Sequence, residues 1–264
     1  MASEALTLKP RPKVNATDRR DTWWIQPLIV VVVLGSFVLY ATWAALINAD
    51  YFVKAHSLLS PFYSPCLVSN CAFIHFRLIG DWWPRWLSPA VLILGGPLLL
   101  RVTCYYYRKA YYRSFFWAPP ACSVPDAARG YSGERRFPLI LQNVHRYAFL
   151  LSLVVLAFLW WDVVESFRWS DPAGIHMGVG SLVLLIATVL LTLYSLSCHS
   201  CRYYCGGCLD SFHGKPIRTR LWNIASRLNE KHTQFAWFSL FAVALADLYV
   251  RLAASGAIAD LRIF

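Results

Sequence analysis

IHMGVGSLVLLIATVLLTLYSLS, Ile175 to Ser197, holds one histidine and no Asp, Glu, Lys or Arg over 23 residues. At the rise of an α-helix such a run is about 35 Å long, enough to cross a hydrocarbon core of about 30 Å. It leads without a break into CHSCRYYCGGC (Cys198–Cys208), where four of the chain's eight cysteines fall within eleven residues. A membrane-spanning helix therefore delivers a thiol cluster to one bilayer surface. Thiols this close together suit a metal ion or cluster, whose ligands must all reach one centre. If the helix continues, Cys198, Cys201, Cys205 and Cys208 fall on one helical stripe. Gly206-Gly207 would then loosen it and free backbone N–H groups to point at bound sulfur. The competing reading is a run of palmitoylatable or merely polarizable residues at a membrane boundary.

The rest of the chain has the same character. Hydrophobic residues make up 58% of the 264 and charged residues only 15%, which excludes an ordinary soluble domain. Four further apolar segments are long enough to span: about Trp24–Ile47, Leu87–Cys104, Pro138–Trp161 and Thr233–Val250. Allowing for helical extensions beyond the apolar cores, helices are expected over about 24–47, 87–112, 138–164, 174–204 and 218–254. The fold class is thus an all-α membrane protein, a five-transmembrane-helix bundle over residues 23–254. A flexible tail (1–22), a long loop (48–86) and a short end (255–264) complete it. Gly95, Gly96 and Pro97 predict a kink in the second helix, since lipid forces the backbone to satisfy itself. The first twenty residues are polar and lack the apolar core of a signal peptide.

Basic residues set the orientation. With the N-terminus inside, the tail, Arg146 and the loops 101–137 and 198–231 hold 19 of the 25 Lys and Arg. That asymmetry places the N-terminus and the thiols in the cytoplasm and the C-terminus outside. It also accounts for the net charge of +11 without nucleic acid as a partner. Twelve Trp and fourteen Tyr suit aromatic belts at the two interfaces. In the outer loop, Cys66 and Cys71 are a disulfide or two buried thiols. His56 and His75 in that loop have no partner visible in sequence and read as solvated or locally hydrogen-bonded.

Polar groups inside a span face protein, water or a cofactor. His145, near the start of the third span, and His232, at the start of the fifth, enter the bilayer from the side where the fourth leaves it. With Cys198, Cys201, Cys205 and Cys208 they converge on the inner leaflet; His199 and His213 are alternatives to either histidine. Two histidines could hold a b-type haem, which leaves the thiols unused; four thiols could hold zinc or a cubane. Two of each describe a Rieske-type [2Fe–2S] centre, although the usual C-x-H and C-x2-H pair is absent. Tyr105, Tyr106, Tyr107, Arg146 and Trp222, with Arg227 and Asn229 nearby, are candidates to hydrogen-bond a quinone, or ordinary belt and snorkelling residues. Asp247 in the fifth span is placed to pair with Arg251 four residues on, or to move protons.

Five helices, His145, His232 and CHSCRYYCGGC together resemble the cytochrome b-like membrane-anchor subunit of actinobacterial succinate dehydrogenases, most nearly the mycobacterial succinate dehydrogenase 1 type. The likeness spans nearly the whole chain, and its distinguishing motif is the cysteine segment. It implies a bacterial plasma-membrane complex with a flavoprotein subunit and an iron–sulfur subunit on the cytoplasmic face. It also implies electrons passing from succinate through a Rieske-type [2Fe–2S] centre in the anchor to quinone. Which thiols are ligands does not follow; the glycine pair favours Cys205 and Cys208 over Cys198 and Cys201. No dinucleotide fingerprint is present, so succinate oxidation would belong to a partner. Two other classes compete: a haem- or zinc-binding structural anchor or assembly protein, and a membrane thiol oxidoreductase using Cys198/Cys201 or Cys205/Cys208.

Overall fold

The computed structural model describes residues 13–263 apart from 14, 15, 70, 77, 78, 80–82, 85, 128–132, 138 and 169–173. The tail expected over 1–22 therefore lies largely outside the described residues. Among the described residues eight α-helices run in order: α1 (Ile25–Ile47), α2 (Ala90–Thr103), α3 (Tyr105–Phe115), α4 (His145–Ser166), α5 (Val179–Leu196), α6 (His199–Arg202), α7 (Pro216–Asn229) and α8 (His232–Ala254). Four are long and apolar enough to cross a membrane: α1, α4 with the 3-10 turn before it, α5 and α8.

The expected second span is instead a bent pair. α2 and α3 meet at 75°, and the break is at Cys104, whose backbone is extended (φ −66°, ψ 130°), while Pro97 lies inside α2. The physical reason is composition: α2 is apolar, whereas α3, YYYRKAYYRSF, is aromatic and basic and turns toward an interface. The fourth span also ends earlier than expected. α5 stops at Leu196, Cys198 is extended (φ −65°, ψ 142°), and α6 leads into a single π turn, Tyr203–Gly207. The single stripe of four thiols does not form, because Cys198 precedes α6, Cys201 is on it, Cys205 is on the π turn and Cys208 follows that turn. The continuous helix expected over 218–254 is two, α7 and α8.

α5 lies along α8, and α4 bridges α2 and α5. Small side chains permit the close approach: Gly180, Ser181, Ala187 and Thr188 on α5, with Ala236, Ser239, Val243 and Ala246 on α8, are all buried. The outer surface is apolar, with Leu28, Ile29, Val32 and Leu39 of α1 all exposed, an arrangement suited to lipid.

The bundle has two distinct ends. At one, the thiol end, lie Cys104, His145, Cys198 and His232. At the other, the loop after α1 folds inward as a plug. A two-stranded hairpin, β1 (Phe52–Val53) and β2 (Leu58–Leu59), leads into a turn in which Ser60, Tyr63 and Ser64 are fully buried. Cys66 and Cys71 are disulfide-bonded there. The reading of His56 and His75 as solvated or locally bonded is corrected: His56 Nδ1 lies 2.7 Å from Asp260 and His75 Nε2 2.8 Å from Asp162. Both carboxylates come from remote parts of the chain. Asp247 pairs with Arg251 Nε at 2.9 Å and also receives Tyr40 OH at 2.5 Å and the Ser60 hydroxyl.

Candidate metal centre

Two dipeptides build the thiol end: Thr103-Cys104 at the α2–α3 bend and Ser197-Cys198 where α5 gives way to α6. Each sets a hydroxyl beside a thiol, and the two work crosswise. Thr103 Oγ1 is 2.9 Å from His145 Nδ1, while Cys104 Sγ is 3.5 Å from His232 Nε2. Ser197 Oγ is 2.7 Å from His232 Nδ1, while Cys198 Sγ is 3.2 Å from His145 Nε2. So each histidine is held by one dipeptide's hydroxyl and faces the other dipeptide's thiol.

The hydroxyls fix the tautomers. Thr103 donates its proton to the Leu99 carbonyl at 2.7 Å, and Ser197 donates to the Tyr194 carbonyl at 3.0 Å. With the hydroxyl protons given to those carbonyls, each hydroxyl oxygen can accept, and the hydrogen is assigned to Nδ1 of each ring. Nε2 of each ring then turns an unprotonated lone pair toward a thiol, the form in which imidazole binds metal. The His232 ring is also boxed in, whereas His145 is half-buried. Tyr194 stacks on His232 with centroids 5.0 Å apart, and Tyr106 closes the other side at 5.2 Å. His232, Cys104 and Cys198 are each 2% exposed.

A permanent charge lies beside these groups. Arg101 stacks over Tyr194 at 4.9 Å and donates to the Ala236 carbonyl at 3.3 Å, Ser239 Oγ at 3.2 Å and Tyr107 OH. Its hydrogen-bond partners are neutral, so its charge remains to favour anionic sulfur nearby.

Among the described residues no three His, Cys, Asp or Glu are placed to hold one metal ion. A two-iron cluster makes a smaller demand, two protein ligands on each iron. Two imidazoles with free lone pairs and two buried thiols are the donor set of a Rieske-type centre.

Of the residues expected from sequence, the structure brings together His145, His232 and Cys198. Cys104, which sequence reasoning missed, completes the set; its signal is RVTC at the end of an apolar segment, level with the two histidines. Cys201 and Cys205 stand apart with sulfurs 4.0 Å from each other, and burial with the neighbouring Cys205 thiol pushes Cys201 up to about 12. Cys208 is exposed, 3.4 Å from Arg218 Nη2. His199 and His213 are exposed and outside the group. The quinone candidates divide as well. Tyr106 and Tyr107 surround the His232 region, Tyr107 donating to the Ala236 carbonyl at 2.6 Å. Tyr105 is largely exposed, Arg146 lies over Tyr203, and Trp222 lies under Arg202.

A cavity of about 390 Å³ opens between α1, α2, α4, α5 and α8. Its walls are aliphatic and aromatic, and Arg101, Ser152, Tyr194 and Ser195 line it on the side toward the thiol end. Ser152 Oγ and Tyr194 OH are buried without a hydrogen-bond partner. Apolar walls with Arg101, Ser152, Tyr194 and Ser195 along one edge suit a ligand with an apolar body and a polar head.

Residues 25–256 match the family model of the actinobacterial succinate dehydrogenase subunit SdhC. Among solved structures, the chain is similar to one from the Mycobacterium smegmatis Sdh1 complex in the apo form, with 41% sequence identity and a TM-score of 0.87. That likeness covers 97% of this chain and 96% of the other. No curated protein matches.

Proposed function

The chain belongs to the actinobacterial succinate dehydrogenase subunit SdhC family, and from that premise we propose that it passes electrons from a docked iron–sulfur subunit to quinone through a Rieske-type [2Fe–2S] cluster held by Cys104, Cys198, His145 and His232. The gathering of two imidazoles and two buried thiols at one end of the bundle supports this reading; in such a centre both imidazoles would sit on one iron and both thiolates on the other. Such a cluster, when bound, supplies a one-electron station whose neutral imidazoles raise its potential into the range of quinone. The chain's own residues prepare the place for it. Thr103 and Ser197 hold each Nδ1–H and so keep each Nε2 unprotonated. Tyr106 and Tyr194 hold the His232 ring in plane and exclude water, while Arg101 offsets the charge of two thiolates.

The charge asymmetry of the loops puts the thiol end in the cytoplasm, the N-terminus inside and the C-terminus outside. The flavoprotein and iron–sulfur subunits then dock on that face, where the loop 101–137 carries seven basic residues. Quinone belongs in the 390 Å³ cavity. Its carbonyl oxygens would accept from Ser152 and Tyr194, and its tail would lie against α1 and α2 toward lipid. This reading prefers the cavity to the Tyr105, Arg146 and Trp222 part of the sequence-based pocket.

The test is the dithionite-reduced complex studied by EPR, with iron and acid-labile sulfide analysis. The expected result is an extra [2Fe–2S] signal of low average g, with no haem Soret band. His145→Ala and His232→Ala should each remove that signal and leave the partner's clusters visible. A Soret band, or stoichiometric zinc without sulfide, would overturn the assignment.

A further inference from the structure

α7, PIRTRLWNIASRLN (Pro216–Asn229), carries three arginines and no acidic residue. At 3.6 residues per turn most of its side chains fall into three sectors, each about 60° wide. One sector packs on the protein. Ala225 is buried, Trp222 lies against Phe212 with ring centroids 5.4 Å apart, and Arg218 donates to the Tyr204 and Cys205 carbonyls at 2.7 and 3.1 Å. The second sector is Ile217, Leu221 and Ile224, which are 73%, 47% and 46% exposed. The third is Arg220, Asn223 and Arg227, also exposed.

The level at which α7 is held decides what lies beside the apolar sector. Asn229 Nδ2 donates to the Ser197 carbonyl at 2.7 Å, where α5 has just ended, and only Glu230 and Lys231 separate α7 from α8. α5 and α8 are both long and apolar enough to span, so the end of α7 sits where both meet the bilayer surface. A helix at that level with an exposed apolar side lies in the interface, that side toward the acyl chains. The arginine sector is turned about 90° from the apolar one and nearly opposite the packed one, which puts it at headgroup height and facing away from the bundle. Arg220 and Arg227 stand two turns apart, about 10 Å, with Asn223 between them. Among the described residues neither arginine has a carboxylate partner, and a shallow groove runs along this side of the helix.

We propose that α7 is an interfacial helix whose Arg220, Asn223 and Arg227 bind the headgroup of an anionic phospholipid in the leaflet at the thiol end. The phosphodiester accepts from the guanidinium and amide donors, and the guanidinium is charged at any physiological pH. The acyl chains lie along Ile217, Leu221 and Ile224. A zwitterionic lipid offers the same phosphate but brings a cation of its own, which two unpaired arginines repel. The site is independent of what the thiol end holds.

The test uses the whole complex in nanodiscs of phosphatidylcholine containing a minor share of phosphatidylglycerol, with the retained lipids read by native mass spectrometry. The parent should keep phosphatidylglycerol in preference to phosphatidylcholine. Arg220→Gln and Arg227→Gln should each lower that preference about fivefold, and the two together roughly thirtyfold, the size expected for one and two basic residues at an anionic surface. Raising the salt concentration should weaken the preference in the parent more than in the double variant. A photo-crosslinking amino acid in place of Ile224, in an otherwise parental complex, should attach to phospholipid. The same lipid preference in parent and double variant overturns the proposal. Attachment of the Ile224 crosslinker to a soluble subunit also overturns it, because the surface would then be a protein interface. Should the double variant shed its partner subunits, the Ile224 crosslink decides the question.

Discussion

At the two ends of the bundle, His75 is held in the opposite sense to His145 and His232, while His56 of the loop end turns Nδ1 toward Asp260. At the thiol end, Nδ1 of His145 and of His232 donates to a hydroxyl, and Nε2 turns a lone pair toward sulfur. At the loop end, His75 Nδ1 accepts from the Cys66 N–H at 3.2 Å, so its hydrogen is on Nε2 and is given to Asp162 at 2.8 Å. The side chain is the same and the roles are opposite. What holds Nδ1 decides whether a buried imidazole is a metal ligand or a hydrogen-bond donor. The loop end is a polar clasp that fastens the plug to the bundle, and the thiol end holds the donors proposed for the cluster.

The comparison can be broken most heavily at the clasp. Arg251→Met would leave the Asp247 carboxylate buried without its cation, a change that costs about 3–5 kcal/mol. Thermal unfolding in detergent should show that loss, and adding Asp247→Asn should recover part of it. In molecules that remain folded, the anchor's EPR signal should be unchanged. A pairwise exchange sharpens the contrast: His145→Gln should abolish the signal, whereas His75→Gln should leave it intact and lower only stability. Loss of the signal in His75→Gln would mean that the two ends are not independent.

Smaller effects follow from the groups that hold the rings. Thr103→Val keeps the shape of the side chain but removes the acceptor of the His145 Nδ1–H. Cluster retention against a chelator should fall about tenfold, and Thr103→Ser should restore it. Smallest is Tyr194→Phe, which keeps the ring stacked on His232 and removes an unpaired hydroxyl. Stability should hold or rise slightly, while the KM for quinone rises about threefold to tenfold, the value of one hydrogen bond. An unchanged KM would place the quinone head elsewhere.

Much of this was readable in the sequence, for identifiable reasons. Hydropathy located four of the spans, and the entry side of each span put His145 and His232 at one depth. Asp247 and Arg251 were legible because an i, i+4 spacing is local. The errors arose where the chain stops being regular. The four thiols were placed on one stripe, and Cys104 was left outside the proposed group, because extended residues at Cys104 and Cys198 interrupt helices that composition alone would continue. The partners of His56 and His75 could not be read at all, since their carboxylates lie 204 and 87 residues away in the chain. Separations of that size are set by packing, which periodicity does not encode.

Pulsed EPR of the reduced complex, resolving nitrogen couplings to the anchor's cluster in the parent and in Cys104→Ser and Cys208→Ser, tests the crossed ligand set most directly. The account predicts two strongly coupled nitrogens in the parent, loss or replacement of that spectrum in Cys104→Ser, and an unaltered spectrum from the clusters that form in Cys208→Ser. An unaltered spectrum in Cys104→Ser, with the change appearing in Cys208→Ser, would contradict it.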